Sequence, residues 1–156
     1  MRKRSHSGFT LIEVLIALTI LAIIAGIAYP SFTAYITTAR RTDGTINLTR
    51  IHALQEKFFT QCGIYAAGFG AAQNCAPPGV LLGTGLTQDG YYNITIAPGL
   101  SGTTLTSFTL TATPVGSQAT NDSLKCSTIT LDNTSRKGAT GSDSTFDAFG
   151  GHCWKK

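Results

Sequence analysis

The sequence predicts an α+β fold in which a long N-terminal helix, half membrane span and half amphipathic, packs on an antiparallel β-meander. Three observations support this fold class. Residues 9–29 are apolar apart from two threonines, one glycine and one glutamate, as expected for a membrane-spanning helix. Apolar residues then recur at helical spacing to about residue 59. Three later runs alternate apolar and polar residues, which is typical of strands with one buried face.

The apolar segment is long enough to cross a membrane. As a helix, residues 9–29 would extend roughly 30 Å, the thickness of the hydrocarbon core of a bilayer. Arg2, Lys3 and Arg4 precede this segment, so we expect the N-terminus on the cytoplasmic side. Glu13 is unusual, because a carboxylate inside such a span costs on the order of 3 kcal/mol and normally has a partner. An ordinary signal peptide and a simple one-pass anchor both leave Glu13 unexplained.

The second half of the helix has a single apolar stripe. After Pro30, apolar side chains recur at helical intervals, at Phe32, Tyr35, Ile36, Ala39, Leu48, Ile51, Leu54 and Phe58. The opposite face carries charged residues such as Arg50 and Lys57. We therefore expect the apolar stripe to pack on the head domain that follows it.

The remainder of the chain divides into a loop region, a sheet and a closing segment. Residues 60–88 are rich in Gly, Ala, Pro, Thr and Gln, and we expect them to form a loop between helix and sheet. The alternating runs predict strands at residues 91–96, 107–113 and 127–132. The sheet should therefore occupy about residues 90–132, and residues 126–153 should form a C-terminal loop.

The four cysteines predict two disulfides, because the chain beyond the anchor is expected outside the cytoplasm. A zinc site is disfavoured, since the cysteine spacing contains no Cys-x-x-Cys pair. Three pairings are open. We favour Cys62–Cys75 with Cys126–Cys153, because each bridge then closes one local segment that is poor in apolar residues. Each bridge should stabilise the head by about 2–4 kcal/mol.

At the N-terminus, the run Gly8-Phe9-Thr10-Leu11-Ile12-Glu13 resembles the processing motif of type IV pilins and their relatives. The resemblance implies that a prepilin peptidase cuts after Gly8 and methylates the new amine of Phe9. Residues 1–8 would then be a leader peptide. We expect the Phe9 amine of one chain to pair with Glu13 of a neighbouring chain during assembly, so that two charges that are costly in lipid neutralise each other.

The head also resembles PilE-like type IV pilins, a group that includes minor pilins and the neisserial DNA-uptake receptor pilin. The likeness rests on a strand that ends at Pro114-Val115-Gly116-Ser117-Gln118, on Asp122 shortly before Cys126, and on the closing Cys153-Trp154. It implies a helix at residues 9–31 that serves as membrane span and filament core. It further implies a periplasmic, later extracellular, head at residues 32–156.

The resemblance implies a subunit of a surface pilus that serves adhesion, twitching motility or DNA uptake. The precursor would be inserted once in the bacterial inner membrane, and after assembly the subunit would lie in an extracellular filament. The implied partners are other pilin subunits, the prepilin peptidase, the inner-membrane assembly platform and, before assembly, membrane lipid. A pseudopilin of a type II secretion system is an alternative, although two disulfides and the Cys-Trp ending favour a pilus.

A pilus-associated DNA receptor is the second alternative. Four basic residues would converge if the Cys126–Cys153 bridge returned the tail to the sheet, and such a patch would contact DNA phosphates; they are Arg136, Lys137, Lys155 and Lys156. The formal charge of the chain is +4, but without the leader nine basic residues face eight acidic ones, which leaves +1. Because of this low charge, and because no aromatic residue interrupts the patch, a solvated rim is the favoured interpretation.

The sequence predicts neither an enzyme nor a cofactor or metal site. His6, His52 and His152 are scattered, and none can be paired with a nucleophile. Asn121 and Asp122 offer too few oxygen ligands for a cation.

Overall fold

The computed structural model describes residues 8–99, 106–144 and 151–154. Most of the expected leader, and the two lysines that end the chain, Lys155 and Lys156, lie outside these ranges. The chain divides into two compact units, Met1–Ile36 and Thr37–Lys156. The second unit is the head, and it begins later than the expected boundary at residue 32.

A single helix, α1, runs from Leu11 to Cys62 and contributes to both units. Pro30 lies inside α1 without ending it. In the first unit the described residues up to Tyr35 are all exposed, including large apolar side chains such as Phe9 and Leu21. By length and composition α1 can cross a membrane. This amount of exposed apolar surface is typical of a segment that lipid or other subunits cover.

In the head, the segment 60–88 is not a plain loop. It begins with the last residues of α1, and it contains two short strands, β1 (Gly68–Gly70) and β2 (Val80–Leu82). These strands pair in parallel as a separate two-stranded sheet. Each strand has only three residues, and β1 contains two glycines, so neither shows enough alternation to be predicted from the sequence.

The main sheet has four antiparallel strands in the order β3-β4-β5-β6. They are β3 (Tyr92–Pro98), β4 (Phe108–Pro114), β5 (Thr128–Asp132) and β6 (Lys137–Thr140). The predicted α+β fold with an antiparallel meander is therefore confirmed. The sheet extends beyond the expected limit at residue 132, because β6 is a fourth strand. Its Gly-Ala centre has low β-propensity, which explains why its sequence did not predict it.

The segments that flank β5 also contain regular structure. A short helix, α2 (Gly116–Asp122), connects β4 with β5, and two single-turn 3-10 helices lie at Ser142–Ser144 and Gly151–Cys153. The expected C-terminal loop at 126–153 therefore includes two strands of the sheet.

The core lies between α1 and one face of the sheet. Register places Ile94, Ala112 and Ile129 in one row across three strands, and all three are buried. Of the apolar stripe that the sequence predicts, Leu48, Ile51 and Phe58 are buried in the same cluster, whereas Phe32, Tyr35, Ala39 and Leu54 are exposed. The opposite face of the sheet carries threonines, for example Thr111 and Thr130. Burial of this apolar area is the main stabilising contribution to the head.

Helix α1 lies close to the sheet at Gly44, where the ring of Tyr92 packs against its backbone. A Cβ atom at this position would be 3.2 Å from the Tyr92 ring, closer than side-chain carbons normally pack. Tyr92 is fully buried, and burial raises the pKa of its hydroxyl to about 12. The glycine thus allows the Tyr92 hydroxyl to reach a buried polar cluster beside α2.

That cluster is centred on Arg41 of α1. Its guanidinium donates to both carboxylate oxygens of Asp122, at 2.9 Å and 2.6 Å, and to Asp143 at 3.0 Å. Arg41 is 4% exposed and Asp122 is fully buried. Burial alone would lower the pKa of Arg41, but hydrogen bonds and charges from Asp122 and Asp143 outweigh burial and raise it. The side-chain amide of Gln118 donates to Asp122, to Tyr92 and to the Thr37 carbonyl. The cluster attaches α2 and the Asp143 segment to α1.

Candidate functional site

The predicted cleavage and assembly residues lie at the exposed start of α1. Gly8 and Phe9 precede the helix, and Phe9 is 84% exposed. The Thr10 hydroxyl accepts a hydrogen bond from the Glu13 backbone N–H at 3.3 Å, so Thr10 caps the helix. Thr10 and Glu13 have the spacing of a capping box, and a carboxylate in the first turn also interacts favourably with the helix dipole. The Thr-x-x-Glu pattern is a signal for the start of a helix, and the sequence prediction for Glu13 did not consider it.

The cysteines pair as Cys62–Cys75 and Cys126–Cys153, the pairing that the sequence favours. The first bridge connects the end of α1 to the segment between β1 and β2. The second is fully buried and connects Cys126, two residues before β5, to the last 3-10 helix. This second bridge keeps the next residue, Trp154, beside β6.

The turn between β5 and β6 carries the described part of the predicted DNA patch. Asp132 shapes this turn, because its carboxylate accepts hydrogen bonds from the Thr134 hydroxyl at 2.7 Å and from the backbone N–H groups of Thr134 and Arg136 at 2.9 Å each. Burial works to raise the pKa of Asp132, but these hydrogen bonds and the Arg136 charge outweigh it and lower the pKa. The ionised carboxylate thereby orders the residues that present Arg136 and Lys137.

We expect the turn to loosen in acid. The pKa of Asp132 is lower in the folded chain than in the unfolded chain, so its stabilising effect is present above the unfolded value and lost as pH falls through the folded value. The protection factors of the Thr134 and Arg136 amides, taken relative to intrinsic exchange at each pH, should therefore fall in Asp132→Ala at neutral pH and in the wild type only in acid. Asp132→Asn keeps an acceptor oxygen and is the matched control, with intermediate protection. Unchanged exchange in Asp132→Ala would show that the turn forms without the carboxylate.

Lys137 and Trp154 are packed together on the inner side of β6. Lys137 is paired with the buried Leu131, so both side chains lie on the same face of the sheet, and Lys137 is exposed at its edge because β6 is an edge strand. Its ammonium is 5.0 Å from the centroid of the Trp154 ring, within the range of a cation–π contact. The Trp154 indole N–H donates to the Gly138 carbonyl at 2.8 Å, which orients the ring.

Lys137 and Trp154 form one wall of a groove of about 500 Å³. The other wall is the exposed side of α1, formed by Thr45, Ile46, Thr49, Arg50 and Ala53. Two cations, Arg50 and Lys137, line the groove, and none of the described lining residues is acidic. Arg50 was absent from the predicted patch, because α1 and β6 are far apart in sequence.

Arg136 lies in the β5–β6 turn and Lys137 is the first residue of β6, and both are exposed, while Lys155 and Lys156 lie outside the described residues. The expectation that no aromatic residue interrupts this patch is wrong. Trp154 lies against Lys137, a contact hidden by their separation in sequence. In the parts of the chain that the structure describes, no group of three His, Cys, Asp or Glu residues could hold a metal ion.

Comparison with known proteins identifies the family. The family model described as "Type IV minor pilin ComP, DNA uptake sequence receptor" matches residues 30–130, well over half of the chain. The chain belongs to this family. A second model, "Prokaryotic N-terminal methylation motif", matches residues 3–29. Type IV pilins are a family of structural subunits, and the apolar N-terminus of the chain fits a membrane-anchored precursor. The resemblance to type IV pilins is confirmed, and the pseudopilin alternative is not supported.

Individual relatives are also pilins. The chain is 34% identical over 61 residues to the type IV major pilin protein PilA of Myxococcus xanthus, a match that covers 39% of this chain and 28% of that protein. A type IV pilin from Shewanella oneidensis is 23% identical, with 65% of this chain and 89% of that chain covered and a TM-score of 0.41. The non-core minor pilin PilV of Neisseria meningitidis is 21% identical, with 75% and 97% covered and a TM-score of 0.47.

Proposed function

We propose that this pilin binds double-stranded DNA through its head and serves DNA uptake from the surface of a filament. The family match over residues 30–130 carries this proposal, because the family is described as a DNA uptake sequence receptor and the matched range includes most of the head. Among adhesion, twitching motility and DNA uptake, this description favours DNA uptake. DNA, which the sequence left as the less favoured partner, thereby becomes the proposed ligand.

The exposed β5–β6 turn supplies a suitable surface. Arg136 and Lys137 are adjacent and exposed, and cations of this kind bind phosphates with release of counterions from DNA. The low net charge does not oppose this proposal, since a local cluster of cations sets the potential at its own surface. Lys155 and Lys156 follow Trp154 directly in sequence, and we propose that they add to the same patch.

We further propose the maturation route that the N-terminal motif implies. The prepilin peptidase cuts after Gly8 and Phe9 is methylated. The precursor is held in the inner membrane by residues 9–31 with its head in the periplasm, and the assembly platform transfers it into an extracellular filament. The methylation motif at residues 3–29 and the exposed apolar surface of α1 support this route. Mass spectrometry of the N-terminus in sheared filaments tests it, because N-methylated Phe9 is the expected product.

A double variant tests the DNA proposal. Arg136→Gln with Lys137→Gln removes two phosphate contacts, so the slope of log K against log salt should become shallower by about 2. The measurement is duplex binding by the purified full-length chain in detergent over a series of salt concentrations. The control, Arg136→Lys with Lys137→Arg, keeps both charges and should keep the slope. Wild-type protein that does not bind duplex at low salt, or a double variant with wild-type affinity and slope, would contradict the proposal.

A further inference from the structure

The groove between α1 and β6 places cations on opposite walls. Arg50 lies on the exposed side of α1, and Lys137 lies on the edge strand across the groove. Both side chains are exposed, and the groove of about 500 Å³ between them is open to an extended ligand. With cations on both sides and no acidic residue among its described lining residues, the groove attracts an anionic chain rather than a single ion.

The other polar groups of the groove already have hydrogen-bond acceptors within the protein. The Thr49 hydroxyl donates to the Thr45 carbonyl at 2.9 Å, and the Thr45 hydroxyl donates to the Thr42 carbonyl at 3.2 Å. The Trp154 indole N–H donates to Gly138, and Lys137 covers one side of the indole ring. The two remaining lining side chains, Ile46 and Ala53, are apolar. The groove therefore offers a ligand two charges but few donors for the edges of bases.

We propose that this groove holds one sugar–phosphate strand of bound DNA, with Arg50 and Lys137 contacting its phosphates from opposite sides. This inference rests on the proposed DNA-binding function and adds α1 to the interface. Phosphate contacts fix the position of the duplex but carry no sequence information. The groove thus contributes affinity that is independent of sequence, and any preference for a particular DNA sequence arises elsewhere on the head.

Arg50→Gln tests the inference, with Arg50→Lys as the control that keeps the charge. Binding of the full-length chain in detergent to two duplexes of unrelated sequence should weaken by the same factor in Arg50→Gln. The salt slope should become shallower by about 1, so the ratio of wild-type to variant affinity should shrink about threefold to fourfold between about 50 and 200 mM salt. Arg50→Lys should keep the wild-type slope. Glutamine has helix propensity similar to that of arginine, so thermal unfolding should be unchanged.

Two outcomes overturn the inference and leave the proposed function standing. In the first, wild-type protein binds both duplexes and Arg50→Gln binds them with equal affinity and slope. In the second, Arg50→Gln changes the preference between the two duplexes, which would mean that Arg50 reads bases. If the wild type binds neither duplex at low salt, both the inference and the proposed function fail.

Discussion

Glu13→Ala should abolish filament assembly while membrane insertion and cleavage after Gly8 persist. Insertion should persist because the variant removes a charge from the membrane-spanning segment. Cleavage should persist because the peptidase motif needs Gly8, which the variant leaves unchanged. Assembly should fail because the Phe9 amine of the neighbouring chain loses its partner in an apolar environment; breaking such a buried pair costs about 3–5 kcal/mol. Filament yield in sheared surface fractions is the measurement, with the cleaved subunit in membranes as the internal reference.

The capping interaction at Thr10 makes Glu13→Gln the sharper variant. Glutamine is tolerated at the third position of a capping box, and it leaves the hydrogen bond from the backbone N–H of residue 13 to the Thr10 hydroxyl in place. It removes the charge that would pair with a neighbouring amine. Assembly of Glu13→Gln at wild-type abundance would show that the charge of Glu13 is not needed for assembly. Loss of assembly in both variants is the result that charge pairing requires.

Asp122→Ala should destabilise the head by about 3–5 kcal/mol, because it leaves the Arg41 guanidinium buried with Asp143 as its remaining carboxylate in the described cluster. Gln118 would also lose one of its acceptors. The midpoint of urea unfolding, followed by near-UV circular dichroism of the full-length chain at constant detergent, measures the effect.

Asp143→Ala is the matched control for Asp122→Ala. Asp143 is 31% exposed, so water can replace part of its interaction, and Arg41 retains both bonds to Asp122. The control should therefore shift the midpoint much less. Equal shifts of the unfolding midpoint in the two variants would mean that the buried Asp122 stabilises the head no more than the partly exposed Asp143 does.

Local pattern was sufficient for much of the fold. The apolar run and the stripe that follows it predict α1, because helical periodicity is expressed within a few turns. Alternation predicts β3, β4 and β5 for the same reason. The structure also contains the favoured cysteine pairs, and the two cysteines of each pair are only 13 and 27 residues apart in the sequence. The sequence did not predict strand β6 or helix α2. Both are short, α2 begins with a glycine and β6 has a glycine as its second residue, so neither segment shows a clear apolar periodicity.

Sequence by itself determined the long helix, the meander and the pilin motif at the N-terminus, because these depend on periodicity and on contiguous residues. Only the tertiary structure decided which polar side chains meet. Arg41 is bonded to Asp122, 81 residues away, and Lys137 contacts Trp154 and lines the same groove as Arg50. The physical reason is that periodicity records which face of an element is buried. The partner of a charged side chain depends instead on how distant elements are placed against one another.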